Sequence, residues 1–320
     1  MRKILVFVST ALLLSASWLA AQTPKPKRIN KAIELLEQGQ PIYYVGSGAG
    51  DYETGKKMAQ TPADYIDYGL EHGAFDMTKL RDFMRGLVDG GPTKSGHRTP
   101  TVIVNLPIYA ISADQMYANA WMIQQVLATG VHGILLCQAN EPEAVRVMVE
   151  VSSYPHAPRA PGLEESAITR GSGSQIFASQ IWGVSGNEYM RRADPWPLNP
   201  DGEILLGLKI ENRHALSRAE ELTKIPGVAF AEWGPGDMGL SFFGPATGDA
   251  GLGDRTEHPL MVRARSRVLA ATKAAGIAFL NSCNENDVID MIKEGVMICT
   301  GGGGPGATKG REFSKRPQPW

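Results

Sequence analysis

Two apolar runs in this chain end in carboxylates. Ile204 to Ile210 runs into Glu211, and Val228 to Trp233 runs into Gly234-Pro235-Gly236-Asp237 about one βα unit later. Acidic groups just past the C-terminal ends of neighbouring parallel strands are where a (β/α)8 barrel gathers its chemistry, and two of them suit one hard divalent cation. The plainer reading of Asp237, ahead of Met238-Gly239-Leu240, is a helix cap. Lys209 stands two residues before Glu211, on the same face of an extended strand, where it either places a cation in the barrel mouth or pairs with a core carboxylate. His72, after the run Tyr65 to Leu70, suits general-base work as a neutral imidazole. Its neighbour Glu71 is expected on the opposite side of the strand, in a structural role.

These residues need elements to position them. Strands are predicted at Ile42 to Val45, Tyr65 to Leu70, Thr101 to Leu106, Gly133 to Cys137, Ile204 to Ile210, Val228 to Trp233, Ile277 to Leu280 and Val296 to Thr300. Helical patterns run Ile29 to Gln38, Met77 to Val88, Asp114 to Thr129, Pro142 to Ser152, Ala215 to Thr223, His258 to Ala275 and Glu285 to Glu294. Start signals include Ser112 with Gln115 three residues on, Asn140 before Glu141-Pro142, and Asn284 before Glu285. Strands alternating with helices in this way predict an α/β fold, a (β/α)8 TIM barrel. A doubly wound open sheet is the rival. It calls for GxGxxG after its first strand, where Gly46-Ser47-Gly48-Ala49-Gly50 gives GxGxG.

The barrel is assigned to residues 41–310, after a linker and N-terminal helix at 23–40 and before a tail at 311–320. Residues 153–202 interrupt the alternation with Gly, Ser, Pro and aromatics, including Trp182. They are read as an insert overhanging the C-terminal face, either a lid, a subunit contact or surface decoration. Gly301 to Gly306 follows the last strand, where backbone N–H groups often take a phosphate or carboxylate. The match to a P-loop is poor, and the residues beyond it read as a flexible tail with no long helix.

The composition is that of a globular protein: 320 residues, 43% hydrophobic, 20% charged, net charge −1, which gives no support to a nucleic-acid partner. Residues 1–22 are set apart. Arg2-Lys3, an apolar run from Ile4 to Leu19 and then Ala20-Ala21 follow the order of a secretory signal peptide, with an uncleaved anchor as the other reading. Export to the periplasm or outside the cell is therefore expected, with no membrane attachment after cleavage. The three cysteines, Cys137, Cys283 and Cys299, are widely spaced, so neither a disulfide framework nor a zinc site is expected.

Tyr65-Ile66-Asp67-Tyr68-Gly69-Leu70-Glu71-His72-Gly73 resembles the strand-two motif of the HpcH/HpaI aldolase/citrate lyase family, an apolar run followed by D-x-E-H-G. Val104-Asn105-Leu106-Pro107 resembles its V-R-x-P, Gly133-Ile134-Leu135-Leu136 its strand-four segment, and Leu208-Lys209-Ile210-Glu211 its V-Q-I-E. Gly234-Pro235-Gly236-Asp237-Met238-Gly239-Leu240-Ser241 is similar to its G-P-x-D-L-S. Tyr154-Pro155 and Arg170-Gly171-Ser172-Gly173-Ser174 echo its Y-P…R-G-G-S loop. The likeness runs in order from about Ile42 to Thr300.

The resemblance implies a class II lyase that cleaves a carbon–carbon bond of a 2-oxo acid through a metal-stabilised enolate, with Mg2+, Mn2+ or Co2+ as cofactor. It implies Glu211 and Asp237 as metal ligands and His72 as the base; Gly236, Gln138 and Trp182 are expected as substrate-binding positions. A homo-oligomer (dimer, trimer or hexamer) and a small-molecule substrate are also implied. Two positions depart from the pattern: Asn105 stands where the family has the Arg that holds the enolate, and Ala128 where it has the Asp that orients the His. Lys209, in place of the family Gln, is the compensating charge. The alternative is a descendant that binds a carboxylate ligand through the metal without the standard chemistry.

Overall fold

The protein is described from a computed structural model covering residues 27–157, 168–245 and 253–317. Nine parallel strands form it: β1 (Ile42–Gly48), β2 (Tyr65–Gly69), β3 (Thr101–Leu106), β4 (Gly133–Leu136), β5 (Pro195–Trp196), β6 (Ile204–Lys209), β7 (Phe230–Glu232), β8 (Ala278–Asn281) and β9 (Val296–Cys299). Their order is β4-β3-β2-β1-β9-β8-β7-β6, and β4 pairs with β6 to close the ring. The two-residue β5 only extends the start of β6, against Ile204 and Leu205. The closed ring of eight is the (β/α)8 barrel that the alternation predicts. The proposed signal peptide, the first residues of the linker (23–26), residues 158–167 of the insert and the last three residues of the tail lie outside the described residues. Among the described residues no helix is long and apolar enough to cross a membrane.

Alternation along each strand sorts the side chains into two layers. Ile42, Tyr65, Ile103, Leu205, Phe230 and Ile298 point inward and pack with Ala32, Ile33 and Leu35, so the helix Lys31–Glu37 plugs the N-terminal end. Gly207 is required there, because a β-carbon on it would lie 2.2 Å from the Phe230 ring. Outward-facing residues meet the helices. In Met77–Asp89, Leu80, Phe83, Met84 and Leu87 recur at helical spacing and are buried, each contributing about 1.5–3 kcal/mol.

Two predicted helices are each two. Asp114 to Thr129 resolves into Ala113–Ala118 and Ala120–Leu127. They meet at Asn119, whose amide donates to the Gln115 carbonyl at 2.8 Å and so competes with the helix's own bonding. Ala215 to Thr223 divides at Arg218 into Arg213–Ser217 and Ala219–Leu222. Ser112 caps its helix by accepting from the Gln115 N–H, as expected, whereas Asn140 and Asn284 do not cap theirs; those helices begin after Glu141 and Asp287.

The insert sits elsewhere than expected. The helix Pro142–Ser152 carries the chain back from the C-terminal end of β4, so the described residues of the segment that follows lie at the N-terminal end of the barrel, away from the mouth. It folds into the helices Gln175–Trp182 and Gly186–Arg192. Arg170 is buried inside it, donating to the Tyr189 hydroxyl at 2.8 Å with its guanidinium 4.5 Å from the Tyr154 ring centroid.

Two more expectations are overturned. The chain after Gly304 forms the helix Pro305–Phe313, with proline at its first turn, where the missing N–H costs no bond. Arg311 and Arg316, within and after this helix, reach back to the fully buried Asp64 at 3.4 and 2.7 Å, alongside Lys31 at 3.2 Å. Cys283 and Cys299 form a disulfide with Cα atoms 5.3 Å apart. Sequence spacing hides this pairing: β8 and β9 are neighbours, so the loop after one meets the end of the other.

Candidate active site at the barrel mouth

The inward positions of β2 are Tyr65, Asp67 and Gly69, and the same phase carried past the strand reaches Glu71. Glu71 therefore enters the mouth, with its side chain 7% exposed, and accepts a hydrogen bond from Lys209 Nζ across the barrel. The prediction for this pair is reversed. His72 points away, its side chain 84% exposed and its Nε2 3.8 Å from Glu71 Oε1.

Lys209 ends β6 beside Glu232 of β7, and Glu211 follows two residues later, buried. Glu211 Oε1 accepts from the backbone N–H of Gln138 at 2.7 Å. Gln138 donates that bond from a left-handed conformation (φ 48°), and its side-chain oxygen accepts from Asn212 at 2.7 Å. Gly234, also left-handed, lies against Glu211: a β-carbon on it would come within 2.3 Å of Glu211 Cβ. Gly236 and Asp237 occupy the first turn of the helix Pro235–Phe243, where the negative charge of Asp237 reaches Glu232.

On the other side, Asn105 Nδ2 donates to Asp67 Oδ2 at 3.1 Å, and Asn105 Oδ1 is buried with no hydrogen-bond partner. Cys137 stands just past β4, fully buried. Ligand atoms of Glu71, Cys137 and Glu211 all lie within 4.8 Å of one another, a group able to hold a metal ion. Asp237 is not a member of that group. Trp182 is not in the mouth at all, because its indole N–H donates to the Gly130 carbonyl at 2.8 Å and its ring stacks on His132, just ahead of β4 at the opposite end. Ala128 likewise caps the C-terminus of Ala120–Leu127, on the approach to β4.

The mouth is short of positive charge. Asp67, Glu71, Glu211 and Glu232 converge on Lys209. Burial, reinforced by Glu232, pushes Asp67 up to about 7. Burial pushes Glu211 up to about 8 and raises Glu232 as well. Burial alone would lower Lys209, but the acidic groups around it, Cys137, Glu232 and Glu211, and its bond to Glu71 hold it above its ordinary value. Burial also raises the Cys137 thiol and the Tyr44 phenol. Such an arrangement takes up a proton or a cation readily. Asp67, Glu232, Cys137 and Tyr44 were not singled out from the sequence, although the two-residue phase Tyr65-Asp67 and Phe230-Glu232 carries the signal for the two acids.

A separate cleft of about 460 Å³, lined by Arg28, Glu188, Arg192 and Glu203, lies at the N-terminal end and shares none of these groups.

A closed parallel barrel with its acidic and cationic groups at the C-terminal mouth belongs to the architecture in which this face holds the active site. The fold is that of the HpcH/HpaI aldolase/citrate lyase proteins, as the sequence motifs anticipate. One such protein from Burkholderia cenocepacia superposes with a TM-score of 0.63 at 18% identity, over 84% of this chain and 90% of that one. The citrate lyase beta subunit of M. tuberculosis, complexed with oxaloacetate and magnesium, gives 0.50 at 15% identity over 88% and 99%. The hydroxypyruvate/pyruvate aldolase of Deinococcus radiodurans is 29% identical over 157 residues, 49% of this chain. The chain's match spans about half (48%) of that relative's length. No family model matches the chain.

Proposed function

We propose that the protein is a divalent-cation-dependent carbon–carbon lyase acting on a 2-oxo acid or a related hydroxy-carbonyl compound. The observation that carries this is the convergence of Glu71, Cys137 and Glu211 beside Lys209 at the C-terminal mouth. The curated aldolase relative and the magnesium-bound citrate lyase neighbour support the same chemistry. Glu211 is the anchoring ligand; Asp237, in the first turn of the helix after β7, is the carboxylate the family motif offers beside it, outside the Glu71–Cys137–Glu211 group. Mg2+, Mn2+ and Co2+ are the candidates. A bound divalent cation supplies Lewis-acid polarisation of the substrate's 2-oxo group.

The chain's own residues do the rest. Lys209 offsets the carboxylate charge and offers its ammonium to an incoming carboxylate. Asn105, held by Asp67, presents its unpaired Oδ1 to a substrate hydroxyl. Asp67, raised to about 7, can hold or release a proton near neutral pH at a carboxyl oxygen, a task the outward-pointing His72 is poorly placed to perform, and burial raises its neighbour Glu232 as well. Gly236 lies next to Asp237 at the helix N-terminus, on the substrate side of this reading.

Asn105 in place of the Arg expected from the family motif favours a second reading, a protein that binds an oxo acid through the cation without turning it over. Purified protein offered a panel of 4-hydroxy-2-oxo acids with Mg2+, Mn2+ or Co2+, with pyruvate release followed, separates the two. Turnover supports the lyase, while tight cation-dependent binding without turnover supports the second reading.

Export is part of the proposal. It is supported by the charged-apolar-small order of residues 1–22 and by the Cys283–Cys299 disulfide, a bond that persists in oxidising compartments. Self-association is proposed from the half-exposed Tyr109, Ile111 and Trp121.

A further inference from the structure

We infer that the cation at the barrel mouth takes a sulfur ligand from Cys137, so the site selects a borderline ion such as Zn2+ or Co2+ over Mg2+. The inference rests on the cation-dependent reading above and specifies its donor set. Three strand ends deliver the donors independently: Glu71 follows β2, Cys137 follows β4 and Glu211 follows β6. Their ligand atoms lie within 4.8 Å of one another.

Each donor is held there by packing or hydrogen bonding. Cys137 is fully buried, with its Sγ 4.0 Å from the Leu135 carbonyl and turned to the Glu71 carboxylate, which it also meets by a side-chain hydrogen bond. A buried cysteine serving only as a small hydrophobe would be expected among apolar neighbours. Here the neighbours are the charges of Lys209, Glu71 and Glu211. Glu211 is 2% exposed and fixed by the Gln138 N–H, which leaves its other oxygen for a ligand. Lys209 Nζ supplies positive charge to Glu71 at the same place.

The chemistry of the set decides the ion. Carboxylates alone suit Mg2+ or Mn2+, whereas a thiolate moves preference toward Zn2+ and Co2+. Coordination breaks the Cys137 S–H bond as the sulfur–metal bond forms, and the proton leaves to solvent. Cys283 and Cys299 are joined to each other, so Cys137 is the single thiol of this chain.

The test is a titration of chelator-stripped full-length protein with Co2+, read by absorption. A near-ultraviolet sulfur-to-cobalt charge-transfer band is expected in the wild-type protein, together with loss of that band and retention of the visible d–d bands in Cys137→Ser. Circular dichroism of the variant checks that it is folded, and the wild-type spectrum alone is decisive if it is not. Co2+ bound without the charge-transfer band would overturn the sulfur ligand and leave the cation-dependent reading standing. No Co2+ binding by the wild-type protein would overturn the sulfur ligand, and no binding of Mg2+ or Mn2+ either, by isothermal titration of the same stripped protein, would overturn the cation-dependent reading as well.

Discussion

Lys209 at the end of β6 donates a hydrogen bond to Glu71, which follows β2 on the far side of the barrel, 138 residues earlier in the chain. The side chains are 13% and 7% exposed, so the pair is largely shielded from solvent. Removing one partner of a buried pair leaves an uncompensated charge, at a typical cost of about 3–5 kcal/mol. Lys209→Met is expected to lose at least the lower part of that range in denaturant unfolding of the cation-free protein, and to lose activity while remaining folded. Added divalent cation should restore part of the stability, because it returns positive charge to the same carboxylates. Unchanged kinetics and stability would remove Lys209 from the site.

Gly234 makes the position of Glu211 possible. It adopts φ +50°, and a β-carbon there would lie 2.7 Å from Glu211 Oε2. Gly234→Ala is expected to cost about 1–3 kcal/mol from backbone strain and to displace the carboxylate. Isothermal titration with a divalent cation should show weakened binding even where the fold survives. Cation affinity equal to that of the wild type would show that Glu211 is not a ligand.

Stability of the cation-free protein should fall as pH rises toward 8. Asp67 is raised to about 7 and Glu211 to about 8, both above the ordinary carboxylate range. The folded state therefore binds more protons than the unfolded state between about pH 4 and 8. The stability these groups contribute is fully present below the unfolded values and is lost as pH climbs through the folded ones. Melting temperature in chelator, followed from pH 5 to 9 at fixed ionic strength, should decline over this window, and added cation should reduce the decline. A flat profile in chelator would contradict the charge balance described for the mouth.

At the opposite end of the barrel, Asp64 accepts from Arg316, Arg311 and the Tyr43 N–H and pairs with Lys31. These cations hold its carboxyl below the usual range despite burial. Asp64→Asn should destabilise the protein by about 3–5 kcal/mol, because it removes the counter-charge that Lys31, Arg311 and Arg316 share. Denaturant unfolding measures this. Cation binding at the distant mouth should be unchanged under conditions where the variant is folded.

Much of this structure is written locally in the sequence. β3 and the helix Pro142–Ser152 occupy the residues that their patterns predict, because β-branched runs and a proline-led amphipathic segment fix them without tertiary help. Glu211 is likewise legible, as a carboxylate closing an apolar run. The phase of β2 is harder to read. Glu71 and His72 are adjacent, and only the inward register of Tyr65 and Asp67 decides which one enters the mouth. Trp182 lies away from the mouth for a topological reason: the helix Pro142–Ser152 has already returned the chain to the N-terminal end. The disulfide and the Asp64 cluster join segments that meet only once the barrel has closed. The helix Pro305–Phe313 is hard to read locally because Gly306 and Gly310 weaken its propensity. Gly310 is there because a β-carbon would strike the Tyr43 hydroxyl.

The most direct test is pyruvate release from 4-hydroxy-2-oxo acids by chelator-stripped protein, before and after a divalent cation is returned, for wild type and Glu211→Gln. Release that is absent after stripping, restored by the cation in the wild type and not restored in Glu211→Gln is the predicted result. Release that persists in chelator, or that Glu211→Gln supports as well as the wild type, would contradict a cation-dependent lyase built on this carboxylate.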